Sequence, residues 1–321
     1  MKDFTFAMLT YNQEQYVVEH LESIKYQIEH FGQNIKINFI LADDASKDKT
    51  VYKVKKWIES NKDLFCSIKF LLPKYNKGIV SNFISALRNI KTEHYKILAG
   101  DDLYFKNDIF KIFSTGNDIY FTPVIRFTGM NVSDNRSRWF FKEAISFQNK
   151  GYNMQKFIAD SLQYTMNLET PGIFLKKSLV NNNIYDDLNK FQYIEDVPFI
   201  NSLLKTNNLK VFIEAMPYIL YRVQSGISTN KNHSKYKLFI EENEIVRNEI
   251  FVKQRKNKYL NWFKYEYEIK DFLYKYNITR RNNEVIQNFR INMLKEESLA
   301  IEYLKLINKK AKQWEMIKYN I

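Results

Sequence analysis

The sequence predicts an α/β fold built on a mainly parallel sheet with helices on both faces, extended at its C-terminal end by helices alone. Three observations carry this prediction. Over the first hundred residues short apolar runs alternate with amphipathic stretches, a polar cluster follows each run, and beyond residue 230 only helical spacing remains. Alternation of this kind makes right-handed βαβ units, whose ligands bind outside the carboxyl ends of the strands.

The first strand is read over residues 4–9 and ends in Thr10-Tyr11-Asn12-Gln13. Residues 14–30 follow as an amphipathic helix, with Tyr16, Val17, Leu21, Ile24 and Ile28 on one face. The unit recurs as a strand over 37–42, an acidic loop over 43–49, and a helix over 50–60 carrying Val51, Val54, Trp57 and Ile58. A third strand, 68–72, leads through Asn76-Lys77-Gly78 to a helix over 80–90, and a fourth, 95–98, runs into Ala99-Gly100-Asp101-Asp102. From 118 to 221 short strands (119–121, 172–175, 211–213, 218–221) mix with helices near 154–163 and 198–205. In the C-terminal part Ile286, Met293, Ala300, Ile307 and Trp314 recur at sevens, with Phe289, Leu304 and Ala311 between them. The stripe suits a helix packed on its own domain better than a coiled coil, which needs more clean heptads.

With 45% hydrophobic and 16% aromatic residues in 321, the chain can bury a large core, which excludes wholesale disorder. The single cysteine, Cys66, can form neither an internal disulfide nor a zinc site, so a reducing, cytoplasmic setting is expected. No run reaches the roughly 18 apolar residues of a membrane span, and the first residues do not read as a signal peptide. The formal charge of +13 favours an anionic partner, and +8 of it lies from residue 231 onward. A polyanion-binding module is the rival reading of that charge. Nucleic acid is disfavoured, because the most ordered motifs are acidic and no RNA-binding pattern occurs.

The topology gathers four polar clusters on one rim, and among them Asp43, Asp44, Asp101 and Asp102 have a physical use. Mg²⁺ typically takes one or two carboxylates together with substrate phosphates. Aspartates after strands also cap helices and form turns, which is the reading for Ser46 and Asp48. Adjacent like charges at Asp101-Asp102 are harder to explain without a compensating cation. A second pair, Glu195-Asp196, precedes Pro198 and suits either a general base or a helix cap; the residues alone leave both open.

The set FTFAMLTYNQ (4–13), LADDASKDKT (41–50), Asn76-Lys77-Gly78, LAGDD (98–102), EDVPF (195–199), Tyr221-Arg222 and Ser225-Gly226-Ile227-Ser228, in that order and spacing, resembles the family 2 glycosyltransferases of the GT-A fold. The resemblance covers about residues 1–230. It implies a GT-A domain with a nucleotide-sugar-binding part (1–115) and an acceptor part (116–230), followed by a basic helical extension (231–321). It also implies that Thr10, Tyr11, Asn12 and Asp44 contact the nucleotide, Asp44 accepting from N3–H of uracil, which favours a UDP-sugar. Asn76, Gly78 and Arg222 complete the donor site, Arg222 as a charge facing the diphosphate or as a salt bridge. Asp101 and Asp102 match the metal motif for Mg²⁺ or Mn²⁺. Ala99 stands where many relatives carry a further Asp, so Asp102 is the better ligand and modest metal affinity is expected. Asp196, with Glu195 second, falls where inverting members carry the general base. No Gln-x-x-Arg-Trp segment follows, as in non-processive members. The run 169–174 resembles the acceptor-side loop, and Trp139 suits either a sugar face or the core.

The expected activity is therefore a metal-dependent, inverting, non-processive sugar transfer to a glycan or polyprenyl-diphosphate-linked acceptor of a bacterial surface glycan such as capsule or O-antigen. Ala99 keeps a second reading open, an inactive relative that retains nucleotide binding. Arg280-Arg281, Lys309-Lys310 and Lys312, beside the apolar stripe, suggest inner-membrane contact through 280–318, against which stand internal packing and a homodimer.

Overall fold

The computed structural model describes residues 1–133, 138–164, 169–205, 208–223, 235–251 and 284–319. Its foundation is a parallel sheet of β1 (Asp3–Thr10), β2 (Lys36–Asp43), β3 (Ser67–Leu71) and β4 (Tyr95–Ala99), ordered β3-β2-β1-β4. Alternate side chains of β1 go to opposite faces, as the two-residue period of a strand requires. Phe4, Phe6 and Met8 pack with Val17, Leu21 and Ile24 of α1 (Val17–Phe31) and with Val54, Trp57 and Ile58 of α2 (Thr50–Ser60). Ala7 packs on the other face with Val80, Phe83 and Leu87 of α3 (Ile79–Asn89). Helices thus cover both faces. The register pairs Thr10 with Asp43 and Leu9 with Ala99, so three strands end level and their loops share one rim.

The chain continues through β5 (Leu103–Tyr104), β6 (Ile119–Phe121), β7 (Val124–Thr128), β8 (Asn131–Val132), α4 (Arg138–Asn149), α5 (Met154–Tyr164), β9 (Ile173–Leu175), α6 (Asn182–Leu188), α7 (Asp196–Leu204), β10 (Val211–Ile213) and β11 (Ile219–Arg222). Two small sheets result, β10-β6-β9 and β5-β11-β7-β8. In the second, β11 runs antiparallel to β5, which seats Arg222 beside the turn after β4. Of these elements α4, α6, β5, β7 and β8 are not predicted by sequence periodicity. The strands among them are two to five residues long, too short for a period of two to register.

Buried polar side chains of α1 bind the segment after β4. Ser23 Oγ accepts from the Tyr104 amide at 3.0 Å, Gln27 Nε2 donates to the carbonyls of Phe105 and Asn107, and Gln27 Oε1 accepts from the Ile109 amide at 3.3 Å. Each is a buried backbone group satisfied at long sequence separation, and losing one costs about 1–3 kcal/mol.

The C-terminal part contributes α8 (Tyr236–Phe251) and α9 (Glu284–Tyr319). The stripe at sevens turns inward. Phe289, Met293, Ala300, Leu304 and Ile307 enter the core that α3 faces, and Ala311 and Trp314 enter the other. Tyr303 donates to the Tyr104 carbonyl at 2.9 Å, and Lys53 pairs with Glu315 at 2.6 Å. Ile317, 74% exposed, lies on the outside near the end of α9 with Met316, Lys312 and Lys318. Among the described residues no helix is long and apolar enough to cross a membrane. Ser225 to Ser228, Arg280-Arg281 and the side chain of Trp139 lie outside the described residues.

Candidate functional site

The rim is stitched together by carboxylates. Thr10 Oγ1 donates to Asp43 at 2.8 Å, and Asp43 also accepts from the Ser46 amide at 2.8 Å and from its hydroxyl. The Asp44 amide donates to the Thr10 carbonyl at 2.9 Å, while its own carboxylate accepts from the amides of Lys77 (2.7 Å) and Gly78 (2.8 Å). That cradle needs Gly78 at φ +91°, where an added Cβ would also meet Gln192 Cγ at 2.7 Å. Burial raises the Asp44 pKa above the ordinary carboxylate value, opposed by the two amides and by Lys235. Asn76 Nδ2 donates to the Asp44 carbonyl at 3.2 Å. Asn12, at φ 51°, accepts from the Lys47 amide and donates its own amide to Ser46, and Tyr11 is exposed beside it. Asp48 accepts from the amides of Glu14 and Thr50, so it ties two loops as well as starting α2.

The turn after β4 approaches this cluster closely. A Cβ on Gly100 would lie 2.7 Å from Thr10 Cγ2 and 2.8 Å from Gln13 Oε1, so glycine is required there by space rather than by backbone angle. Gln13 Oε1 is itself buried without a hydrogen-bond partner. Asp102, 2% exposed, accepts from the Arg222 amide at 2.8 Å through Oδ1, and its carbonyl accepts from His20 Nδ1 at 2.7 Å. Burial, reinforced by the neighbouring Asp101, pushes the Asp102 carboxyl well above its usual range despite the Arg222 amide, Arg222 and Lys96. Burial lowers His20 from 6.5 to about 4, so it is neutral and its Nδ1 carries the donated proton.

Arg222 is placed beneath this turn. Its Nε donates to the Asp101 carbonyl at 2.8 Å, its Nη2 pairs with Glu19 at 2.5 Å, and its guanidinium lies 4.4 Å from the ring centroids of both Tyr16 and Phe127. These contacts make it the support of Asp101 and Asp102, the buried form of the ion-pair alternative.

Glu195 and Asp196 stand at the start of α7, half-buried. Asp196 Oδ1 accepts from the Val197 amide at 2.7 Å, and the Thr170 side chain also bonds to Asp196. Burial raises both carboxyls. Glu195, with the further repulsion of Asp196, is pushed up to about 8, whereas the two hydrogen bonds oppose the rise at Asp196. The rise at Asp196 is thus the more strongly opposed of the two.

Lys96 joins the two acidic pairs. Fully enclosed in β4, its Nζ donates to the Ile173 carbonyl at 2.7 Å and the Thr170 carbonyl at 3.4 Å and lies 4.6 Å from the Phe174 ring, while its charge acts on Asp102. Burial lowers it to about 7. Sequence reasoning missed Lys96 and His20. Both had a signal, a lysine inside the apolar strand Tyr95-Lys96-Ile97-Leu98 and a histidine beside the apolar face of α1. A cavity is lined by Phe83, Lys96, Thr170 and Phe199.

Among the described residues no three His, Cys, Asp or Glu side chains make a complete cation cage. Asp101 and Asp102 fit an ion that takes one or two carboxylates and fills its shell with water and phosphate, as Mg²⁺ does. Near the same turn lies the Gln13 oxygen, which is buried and has no hydrogen-bond partner among the described residues.

Comparison with known proteins agrees with this architecture. An uncharacterized glycosyltransferase of Rickettsia typhi is 28% identical over 219 residues, 64% of this chain and 65% of that protein. One of Mycoplasma pneumoniae is 30% identical over 105 residues, 32% of this chain and 33% of that protein. The match thus spans less than two thirds of the length of either relative. Among solved structures, Staphylococcus aureus TarS 1–349 in complex with UDP has a TM-score of 0.53 at 17% identity, covering 100% of this chain and 92% of that one. Its complex with UDP-GlcNAc gives 0.51 at 18%, covering 77% and 65%. The fold is therefore that of a GT-A-type transferase. Residues 5–180 match the pattern of glycosyl transferase family 2, and the chain belongs to that family.

Proposed function

We propose that the protein is a glycosyltransferase that moves one sugar from a nucleotide-diphospho-sugar to an acceptor hydroxyl with inversion. The observation that carries this reading is the pair of acidic sites in different settings, Asp101-Asp102 braced by basic groups and Glu195-Asp196 among apolar ones, connected through Lys96 and Thr170. Asp44 takes the nucleotide base, with Thr10, Tyr11 and Asn12 alongside. UDP is favoured because a fixed carboxylate accepts from N3–H of uracil. Asp102, with Asp101, would hold Mg²⁺ or Mn²⁺, which supplies positive charge to the diphosphate as it leaves. Arg222 and His20 keep those carboxylates in place from below.

Asp196 accepts the proton of the acceptor hydroxyl as its oxygen attacks the anomeric carbon on the side opposite the diphosphate. The acceptor is a glycan or a polyprenyl-diphosphate-linked sugar. Ile317 and Met316, with Lys312 and Lys318 on the same end of α9, are the part that would rest on an anionic inner leaflet.

A thermal-shift panel of UDP-, dTDP-, GDP- and CDP-sugars with and without Mn²⁺ tests the donor, because a ligand that binds only the folded chain raises the melting temperature by mass action. The expected result is a shift with UDP-sugars, enlarged by the metal. A shift with none of them contradicts the reading.

A further inference from the structure

We propose that Lys235, at the entrance to α8, is a nucleobase-recognition residue which the C-terminal extension adds to the donor site; this rests on the nucleotide-sugar reading above. Its Nζ donates to Asn76 Oδ1 at 3.1 Å and lies 6.0 Å from the Tyr11 ring centroid and 5.5 Å from that of Tyr193. Asn76 in turn holds the Asp44 carbonyl. One ammonium from outside the family-matched segment therefore meets the loops after β1 and β3 and the segment before α7.

Its placement is fixed by α8. Glu242, two turns further along, accepts from the amides of both Gln192 (2.8 Å) and Tyr193 (2.7 Å), and Val246 packs against Ile194 and Val197. The Gln192 carbonyl accepts from the Val80 amide at 3.2 Å, which closes the circuit back to α3 and the Gly78 cradle. These bonds hold α8, and with it the Lys235 backbone, beside the donor loops.

The chemistry follows from donor and acceptor counts. The Asp44 carboxylate accepts from two amides and acts as an acceptor, and an ammonium is donor-only with three N–H groups. Side by side they complement an imide edge, an N–H beside a carbonyl, as in uracil or thymine. Cytosine presents a bare ring nitrogen beside an amino group, so each of its groups would meet its like. Lys235 would thus strengthen UDP binding and widen the margin over CDP.

Titration calorimetry of UDP and CDP with the full-length chain, Lys235→Met, Lys235→Arg and Asp44→Ala tests this. Lys235→Met should lower UDP affinity about ten- to a hundredfold, the range for one hydrogen bond to a charged donor, and narrow the UDP to CDP ratio. Lys235→Arg should recover most of that ratio, with the unliganded melting temperatures of both Lys235 variants unchanged. Equal losses for UDP and CDP would put Lys235 on the diphosphate and overturn base recognition. Unchanged UDP affinity in Lys235→Met, with affinity lost in Asp44→Ala, would remove Lys235 while leaving the donor site standing. A wild-type chain that binds neither nucleotide would remove both readings.

Discussion

The two acidic pairs differ in what surrounds them. Asp101-Asp102 follows β4, the outer strand beside β1, where the Arg222 amide, its guanidinium, His20 and Lys96 converge on it. Glu195-Asp196 opens a helix among Ile194, Val197 and Phe199, where hydrogen bonds rather than cations act on the two carboxyls. Burial raises the pKa of carboxyls in both places. At the first, positive charge from Arg222 and Lys96 opposes the rise, and under the proposed function that pair would face a cation and a diphosphate. At the second they leave it nearly unopposed on Glu195, so the pair suits a proton. On the proposed reading, carboxyl groups divide into a charge site and a proton site by environment.

Removing a member of each pair probes that division. Asp102→Asn should abolish transfer, about a thousandfold or more, because a neutral amide cannot balance cation and diphosphate charge; wild-type turnover in the presence of a chelator would contradict it. Asp196→Asn should lower kcat by about 10²- to 10⁴-fold while donor affinity holds. Should Glu195→Gln prove the more damaging, the two roles exchange.

His20 sharpens the comparison through stability. Its folded pKa is depressed from 6.5 to about 4, so its contribution is complete above 6.5 and is lost as pH falls through 4, in all about 3 kcal/mol. Urea unfolding at pH 7.5 and 4.5 should show a larger loss for the wild type than for His20→Gln, and equal losses would dismiss the histidine. Lys96→Met should have the smallest effect. With the donor to the Thr170 and Ile173 carbonyls gone, kcat should fall about tenfold through loosened placement of Asp196, with the donor Kd unchanged. An unchanged kcat would show that Lys96 merely fills space.

Local signals made the first hundred residues readable. The helix expected over 50–60 is found at Thr50–Ser60, and the strand expected over 119–121 at Ile119–Phe121, because apolar spacing and the flanking turn residues speak within a few positions. The rim followed, since level strand ends bring Thr10, Asp44 and Asp101 together in any parallel sheet of that order. What stayed hidden depends on distant pairing. Arg222 meets Asp102 across 120 positions, Lys235 meets Asn76 across 159, and Asn308 meets Glu19 across 289. No periodicity encodes such contacts. The C-terminal stripe was legible as the inward face of a helix, but not the surface it meets: packing on α1 and α4 receives Phe289, Met293 and Ile307.

The division between the pairs is tested most directly by calorimetry of a UDP-sugar with and without Mn²⁺ on Asp102→Asn and Asp196→Asn, each beside a transfer assay. The account predicts that Asp102→Asn loses the metal-dependent part of donor binding, and that Asp196→Asn binds the donor with its metal as the wild type does yet transfers almost nothing. Metal-dependent binding kept by Asp102→Asn, or lost by Asp196→Asn, would contradict it.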